Sequence, residues 1–427
     1  MLKYPEFIEE KIGNTSLFLT PLKRHSTAIQ LSFEVGSFLE DKEQAGISHF
    51  LEHLIFNGSK KYPSFLKMSR AVEKFGGIIN GFTAENQTAF WIFTPASALD
   101  KTLDILFDAT FNPLAVYKEK EIKKEKKIIL EEINASKDNP DRYIYYLADK
   151  TLNPNHKISI PVIGFKKTVQ NIGREELLNW WKKHYLSKNL KIAVAGFIPD
   201  NLKTKIGQFL PQKNDKLELN FPKYESPKKL RVKTYFKNID QVKFRLNFEY
   251  LSKITPKEMI SLELMQNILG GGGSSILFEE LRTKRGLCYS VWAQSENYYD
   301  FSTFEICGGF DPKRMKETNR AIVDILNQIR KQGFDSKKFA EAKNNYLGSL
   351  EIKCDDTAEL TYWPIFDIRQ FNKVLSFKKT IEILNSINKN DLDELAKKLF
   401  DTRYAAATTL GPFRDEEFLS KSLDKLA

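Results

Sequence analysis

The feature that most constrains the fold of this 427-residue chain is an internal duplication. The tetrapeptide Leu31–Glu34 recurs, with one change, as Leu246–Glu249, so the offset in the numbering is 246 − 31 = 215. The lysine pair Lys182–Lys183, together with Gly196, recurs at the same offset as Lys397–Lys398 with Gly411. Because one offset holds at both ends of a domain-sized stretch, the sequence predicts two homologous domains.

The polar stretch Pro211–Lys229 contains several prolines and is the predicted linker between these domains. This places the first domain at residues 1–212 and the second at 228–427. Each half alternates β-rich runs with amphipathic helices. Consecutive strands such as Ser16–Pro21 and Ser26–Gly36 favour antiparallel pairing. The sequence therefore predicts an α+β fold, in which each domain has a mainly antiparallel sheet with packed helices.

Two of the five histidines lie four residues apart in the sequence His49-Phe50-Leu51-Glu52-His53. The segment Asp41–Asn57 is a predicted helix, and residues i and i+4 of a helix lie on the same face. Both imidazoles can therefore face one zinc ion, with Glu52 close enough to act on a water at the metal. This His-x-x-Glu-His order is typical of a class of zinc peptidases. A catalytic zinc usually has three protein ligands, so a third must come from elsewhere in the chain.

The best candidates for the third ligand lie in a charged segment with an apolar stripe, Tyr117–Ser136, which is predicted to be helical. Glu125 and Glu132 are seven residues apart and fall on one face of that helix. Glu132 can bind zinc, and Glu125 can hold the ion or orient one of its ligands. Considered alone, the same pattern is also typical of a solvated helix with i,i+4 ion pairs.

The stretch Gly46–Ser59 resembles the opening of the pitrilysin and insulysin family of zinc metallopeptidases, and most of all the branch of mitochondrial processing peptidase and its bacterial relatives. The family pattern Gly-x-x-His-x-x-Glu-His-x-x-Phe-x-Gly-Thr departs here only at Ser59. The resemblance implies one Zn²⁺ per chain, held by His49, His53 and Glu132. It also implies that Glu52 is the general base and that Glu125 supports the ligands.

Two further segments resemble the same family. Gly76–Thr83 is similar to the edge strand on which family members bind an extended peptide, with Gly81 where alanine is usual. The resemblance implies the substrate-binding residues Asn80, Gly81, Phe82 and Thr83. The glycine-rich stretch Gly270–Ser275, followed by Arg282 and Tyr289, is similar to a family loop and Arg-x6-Tyr pair that contact the scissile region. Arg282 and Tyr289 are therefore expected to act in catalysis.

The second half has no copy of the predicted metal site. At the offset that relates the two halves, the four central positions read Leu264 for His49, Asn267 for Glu52, Ile268 for His53 and Leu347 for Glu132. The helical pattern is kept while every metal-binding group is lost. We therefore expect one zinc domain and one structural copy that supplies the Arg282 and Tyr289 contacts.

The family resemblance also implies an activity and an assembly. It predicts a zinc-dependent endopeptidase that hydrolyses peptides or unfolded segments inside an enclosed chamber. Family members build that chamber from four domains arranged as a clamshell, so this two-domain chain is expected to pair with a partner. Because one chain carries both the zinc set and the Arg–Tyr set, we expect a homodimer, and a heterodimer stays open. The alternative is a non-catalytic, structural subunit of the same fold.

Composition limits the other function classes. The formal net charge is +11, but the lysines are spread along the chain and do not alternate with aromatic residues, which argues against a nucleic-acid partner. No run approaches the ~18 apolar residues of a membrane span, and the first residues lack an apolar signal region, so no membrane partner is expected. The three cysteines, Cys288, Cys307 and Cys354, imply no disulfide framework, which favours the reducing cytoplasm.

Overall fold

A computed structural model describes residues 3–113, 117–211 and 219–426. The chain divides into two compact units, and each is discontinuous in sequence. The first unit is built from Met1–Ala135, Ile160–Pro222 and Leu350–Lys378. The second unit is built from Ser136–Ser159, Lys223–Ser349 and Lys379–Ala427.

This division differs from a single cut between residues 212 and 228, because two segments are exchanged. Residues 136–159 belong to the second unit, and residues 350–378 belong to the first. The sequence offset reveals that the halves are copies, but it carries no information on which sheet a given helix covers. Within the predicted linker, residues 212–218 lie outside the described residues.

Each unit contains one mainly antiparallel sheet, as the α+β prediction required. The strands, in chain order, are β1 (Ile8–Ile12), β2 (Thr15–Pro21), β3 (Ser26–Phe33), β4 (Ile78–Thr83), β5 (Thr88–Pro95), β6 (Leu190–Gly196), β7 (Arg231–Phe236), β8 (Val242–Tyr250), β9 (Cys288–Asn297), β10 (Ser302–Phe310) and β11 (Ala405–Gly411). In the described residues the first sheet has the order β1-β2-β6-β3-β5-β4, and the second has β7-β11-β8-β10-β9. The pairs β2–β6 and β7–β11 are parallel and the other neighbours are antiparallel.

Helices pack against these sheets. In chain order they are α1 (Ile47–Phe56), α2 (Phe65–Glu73), α3 (Leu99–Phe111), α4 (Glu119–Asp138), α5 (Pro140–Leu152), α6 (Lys166–Asn171), α7 (Arg174–His184), α8 (Leu202–Phe209), α9 (Pro256–Gly270), α10 (Met315–Gln332), α11 (Ser336–Lys353), α12 (Glu359–Phe371), α13 (Phe377–Ser386), α14 (Lys389–Leu399) and α15 (Glu416–Leu423). The exchanged helices are α5, which lies on β11 and β8, and α12, which lies on β6, β2 and β3. None of the described helices has both the length and the apolar character that crossing a membrane requires.

The two units repeat each other element by element. The first residues of β6 and β11 differ in number by 405 − 190 = 215, and those of α7 and α14 differ by 389 − 174 = 215. Both strands are flanked by the same neighbours, β2 and β3 in one unit and β7 and β8 in the other. The two-domain duplication read from the sequence is therefore present in the fold. The edge strand β1 is the one element of the first sheet that has no counterpart among the described strands of the second.

Candidate metal centre

Helix α1 begins at Ile47, six residues later than the predicted helix Asp41–Asn57 (47 − 41). The cause is Gly46, whose φ of +95° lies in the left-handed region. A residue in this conformation cannot belong to the helix, so α1 begins after it. The buried carboxylate of Glu40 accepts hydrogen bonds from the backbone N–H groups of Gly46 and Ser48, at 2.7 and 2.9 Å. These bonds satisfy donors that the first turn leaves free, and they place a negative charge at the positive end of the helix dipole.

One face of α1 is packed into the core of the first unit through Ile47, Phe50, Leu51, Leu54 and Ile55. His49 and His53 lie outside this apolar stripe, with ring centroids 4.6 Å apart. Their side chains are 13% and 22% exposed. The apolar face therefore orients the helix so that both imidazoles are presented together, as the i,i+4 spacing predicted.

Helix α4 carries the two candidate glutamates. Its buried stripe consists of Ile122, Glu125, Ile129 and Ile133. The Oε2 atom of Glu132 lies 3.9 Å from Nε2 of His49 and 3.6 Å from Nε2 of His53. The neighbouring Glu131 is exposed and takes no part in this cluster. The structure thus brings Glu132, and not Glu131, to the two histidines.

Among the described residues, one group of histidine, cysteine, aspartate or glutamate side chains could hold a metal ion. It consists of His49, His53 and Glu132. Their ligand atoms all lie within 4.8 Å of one another. Two imidazole nitrogens and a carboxylate oxygen are a ligand set of catalytic zinc sites, in which a fourth position stays open. Donor atoms of a tetrahedral zinc site lie roughly 3.3 Å apart. The two distances from Glu132 to the histidines, 3.9 and 3.6 Å, therefore require only a small contraction. The residues therefore fit one zinc ion.

The far side of the His53 ring is held by a carboxylate. Nδ1 of His53 lies 2.8 Å from Oε1 of Glu125, which leaves the Nε2 lone pair available when Nδ1 carries the proton. The other oxygen of Glu125, Oε2, accepts a hydrogen bond from the side-chain amide of Asn57 at 2.5 Å. The sequence predicted Glu125 beside the ligands and missed Asn57. The only signal of Asn57 in the sequence was its position, four residues after His53 at the end of the predicted helix.

Burial and neighbouring charges shift the pKa values in the site. Burial, followed by the nearby charge of His53, lowers the pKa of His49 to about 3, so this imidazole is neutral near pH 7. Burial also acts to lower the pKa of His53, but its contact with Glu125 and the charges of nearby glutamates raise it overall. Burial raises the pKa of Glu52. The site thus combines a neutral imidazole with carboxylates that attract a cation.

The predicted general base touches the predicted substrate strand. The hydroxyl of Thr83, at the end of β4, donates a hydrogen bond to Oε2 of Glu52 at 2.6 Å. Strand β4 is an edge of the first sheet, as the resemblance implied. The carboxylate of Glu52 is therefore oriented by a residue of β4.

In the middle of β4, Gly81 has no side chain, and its backbone N–H is already hydrogen-bonded within the strand. The side-chain oxygen of Asn80 accepts a hydrogen bond from the backbone N–H of Gly81 at 2.9 Å. A Cβ atom on Gly81 would lie 2.9 Å from the ring of Phe56, 3.0 Å from the backbone carbonyl oxygen of Ala89 and 3.1 Å from the ring of Phe90. The side chain of Phe82 is half-buried. A larger residue at position 81 would therefore require the two aromatic rings and the backbone at Ala89 to shift.

The second unit places Arg282 and Tyr289 next to each other. Arg282 lies on the π-helical turn Phe278–Lys284, and Tyr289 lies on β9 and is 73% exposed. The guanidinium carbon of Arg282 is 4.7 Å from the ring centroid of Phe278 and 5.1 Å from that of Tyr289. The arginine is thus held against two aromatic rings, while the tyrosine remains accessible. The catalytic role of this pair stays a prediction.

Two sequence models of one peptidase family match the chain. Residues 19–164 match "Insulinase (Peptidase family M16)", and residues 171–346 match "Peptidase M16 inactive domain". The chain belongs to the pitrilysin/insulinase family, M16. The first match contains α1, α4 and β4, and the second contains α9, in which the metal-binding positions are replaced. The resemblance to the pitrilysin and insulysin family is confirmed.

Relatives of this M16 chain carry names that mention zinc. It is 28% identical over 385 residues to the uncharacterized zinc protease YmxG of Bacillus subtilis, covering 90% of this chain and 92% of that protein. It is also 28% identical over 394 residues to an uncharacterized zinc protease of Rickettsia felis, covering 91% and 92%. These names agree with the donor set that the fold assembles.

Solved structures share the M16 fold. A protease from Helicobacter pylori has a TM-score of 0.88 at 21% identity, covering 96% of this chain and 100% of that one. The first half of the periplasmic protease PqqL from Escherichia coli has a TM-score of 0.77 at 18% identity, covering 99% and 94%. Both similarities support the α+β fold in two domains.

Proposed function

We propose that this M16 chain is a zinc-dependent endopeptidase that hydrolyses peptides or unfolded segments. The observation that carries the proposal is the convergence of His49, His53 and Glu132 next to Glu52. Bound by those three residues, zinc would supply Lewis-acid activation of the attacking water and of the scissile carbonyl. The chain's own residues would position the ion, the proton acceptor and the peptide.

Glu52 is the proposed general base. It lies on α1 beside His53, and its carboxylate is oriented by the hydroxyl of Thr83 at 2.6 Å. It would take the proton of the attacking water and pass it to the leaving amine. Arg282 and Tyr289 would stabilise the developing oxyanion or hold the peptide backbone.

The substrate would bind as an additional strand along the open edge of β4. Such binding recognises main-chain groups and therefore requires an extended, unfolded segment. At Gly81 the backbone N–H is already bonded to the side chain of Asn80, so a peptide that pairs there would displace this side-chain oxygen. Asn80 would then be free to contact the peptide itself.

The experiment that tests this function is hydrolysis of an unstructured peptide library by the purified protein, with and without a metal chelator, beside Glu52→Gln. We expect cleavage that the chelator stops and that Glu52→Gln abolishes while it retains about one zinc per chain. Bound zinc without cleavage by the wild-type chain would support the alternative, a non-catalytic subunit of the same fold. Absence of zinc from the wild-type protein would overturn the proposal.

We also propose that the active form is a homodimer enclosing a chamber, in the manner of the processing-peptidase branch. The support is that one chain carries the zinc set together with Arg282 and Tyr289. Mixing the inactive variants Glu52→Gln and Arg282→Ala tests the pairing. If the arginine acts on the partner's site, the mixed dimer regains one intact site and cleaves peptides. A monomer in sedimentation, or no recovery on mixing, would contradict the proposal.

A cytoplasmic location is proposed from the cysteines. Cys288, Cys307 and Cys354 are all free thiols, and the Cys307 side chain is buried. Free thiols are typical of proteins in a reducing compartment. Cell fractionation with periplasmic and cytoplasmic marker enzymes would check this, and recovery with the periplasmic marker would contradict it.

A further inference from the structure

We propose that Asn57 is a positioning residue of the metal centre, and this inference rests on the proposed zinc site. Asn57 directly follows α1, where its backbone N–H donates to the carbonyl of Leu54 at 3.1 Å. It lies four residues after His53, on the same side of the helix. Its side-chain amide donates to Oε2 of Glu125, whose Oε1 is the partner of His53. The three side chains form a continuous chain of contacts, Asn57–Glu125–His53.

The middle member of this chain depends on both neighbours. The side chain of Glu125 is 6% exposed, so water has little access to its carboxylate. One of its oxygens is used by His53 and the other by Asn57. The terminal torsion of a glutamate is broad, so one contact alone does not fix the plane of the carboxylate. The second contact, from Asn57, sets the plane in which Oε1 meets Nδ1 of His53.

The consequence is transmitted to the metal through the His53 ring. A carboxylate that receives the Nδ1 proton holds the ring orientation and keeps the Nε2 lone pair directed at the ion. Without the amide of Asn57, a buried oxygen of Glu125 loses its donor, and the carboxylate can turn away from the ring. Asn57 thus acts on the metal through Glu125 and His53, without being a ligand.

The second unit supports this assignment independently. At the offset that relates the two halves, Asn57 corresponds to Gly272 and Glu125 to Ala340. The copy of the helix that lacks the metal donors therefore also lacks the amide and the carboxylate. A role limited to ending the helix would not explain this, because α9 ends without such an amide. The contact chain occurs in the unit that has a metal to position.

The rate at which zinc is lost to a chromophoric chelator tests the proposal. We expect Asn57→Ala and the similarly sized Asn57→Leu to release zinc ~3- to 10-fold faster than the wild type, less than the 10- to 100-fold typical of a residue that touches a ligand directly. The matched control is Asn112→Ala. It removes the amide of another helix-ending asparagine, which contacts Asp108 at 3.2 Å, and it should leave the release rate unchanged.

A double-mutant cycle separates positioning from general destabilisation. In a Glu125→Ala background, Asn57→Ala should add nothing to the release rate, because the contact it supports is already gone. Equal acceleration in both backgrounds, or a wild-type rate in Asn57→Ala and Asn57→Leu, would overturn the proposal. A wild-type protein that binds no zinc would instead refute the proposed function. Thermal unfolding in excess chelator, measured in parallel, reports any loss of fold stability separately from metal release.

Discussion

The two units have equivalent pairs of helices that make different contacts. In the first, α1 and α4 face each other through His49, His53 and Glu132, whose ligand atoms lie within 4.8 Å of one another. In the second, α9 and α11 are joined by a hydrogen bond from Asn267 to Asn345, 2.6 Å long. The same scaffold thus accepts either a polar metal site or an ordinary amide contact.

This difference shows that the metal donors are not required by the fold. The positions equivalent to His49 and His53 are Leu264 and Ile268, and both are buried. Burying imidazoles and carboxylates in place of aliphatic side chains lowers stability unless a partner compensates. The first unit therefore carries a polar cluster that packing alone would not select. A bound cation is the compensation that its geometry fits.

Replacing the donors of the first unit by the residues of the second should have the largest effect. His49→Leu combined with His53→Ile should abolish zinc binding and reduce kcat/KM for peptide hydrolysis by ~1,000-fold or more. In excess chelator the variant should be less stable to heat than the wild type, because His53→Ile removes the partner of the buried Glu125 carboxylate, and adding Glu125→Ala, the residue of the second unit, should recover the stability. Metal content, kinetics and thermal unfolding check the three parts. Retention of zinc by the double variant would refute the ligand assignment.

Replacing each of two neighbouring glutamates by leucine makes the comparison more specific. Glu132→Leu, which introduces the residue found at position 347, should weaken zinc binding by ~100-fold or more, because a direct ligand is lost. Glu131→Leu alters the adjacent, exposed side chain and should bind zinc as tightly as the wild type. Competition with a chelator of known affinity measures both. Equal losses of zinc affinity in the two variants would show that Glu132 is not the specific ligand on helix α4.

A third difference between the units predicts a pH-dependent stability. His184 ends α7 with its ring 4.2 Å from that of Trp180, whereas the equivalent end of α14 is the buried Leu399. Burial, and then the charge of Lys183, lowers the pKa of His184 to about 4 from the usual 6.5. The folded state therefore resists protonation. The stability that neutral His184 contributes to the fold is complete above pH 6.5. About 3 kcal/mol of it is lost as the pH falls from 6.5 towards 4.

The measurement for His184 is urea unfolding between pH 7 and pH 4. His184→Leu should lose less stability than the wild type over this range, because leucine does not titrate. Leu399→Met changes the equivalent apolar position and should follow the wild-type pH dependence. Identical slopes for the wild type and His184→Leu would contradict the prediction.

The smallest expected effect concerns β4. Gly81 pairs with Phe90 in the first sheet, whereas the residue 215 positions later, Glu296, pairs with Thr303 in the second. Gly81→Ala should reduce the free energy of unfolding by ~1–3 kcal/mol, because the added methyl group overlaps the ring of Phe56. Unfolding by urea measures this. If overlap is the cause, the penalty should shrink in a Phe56→Leu background.

Much of this molecule was predictable from local pattern. The α+β class, the duplication and the bounds of β2 and α4 follow from periodicity and from repeats, the bounds to within two residues. The start of α1 was placed too early, because the left-handed conformation of Gly46 depends on its close packing against the backbone of Ile163 and Gly164. Distant backbone contacts of this kind leave no mark in a local pattern.

The sequence by itself determined the candidate ligands. The i,i+4 histidines and a glutamate pair with a seven-residue spacing restrict the metal site to two helical faces, because helical geometry is local. Only the tertiary structure decided that Glu132 meets both imidazoles, that Asn57 completes the contacts of Glu125, and that α5 and α12 are exchanged between the units. Those outcomes depend on how distant segments pack, and packing is set by the whole chain at once.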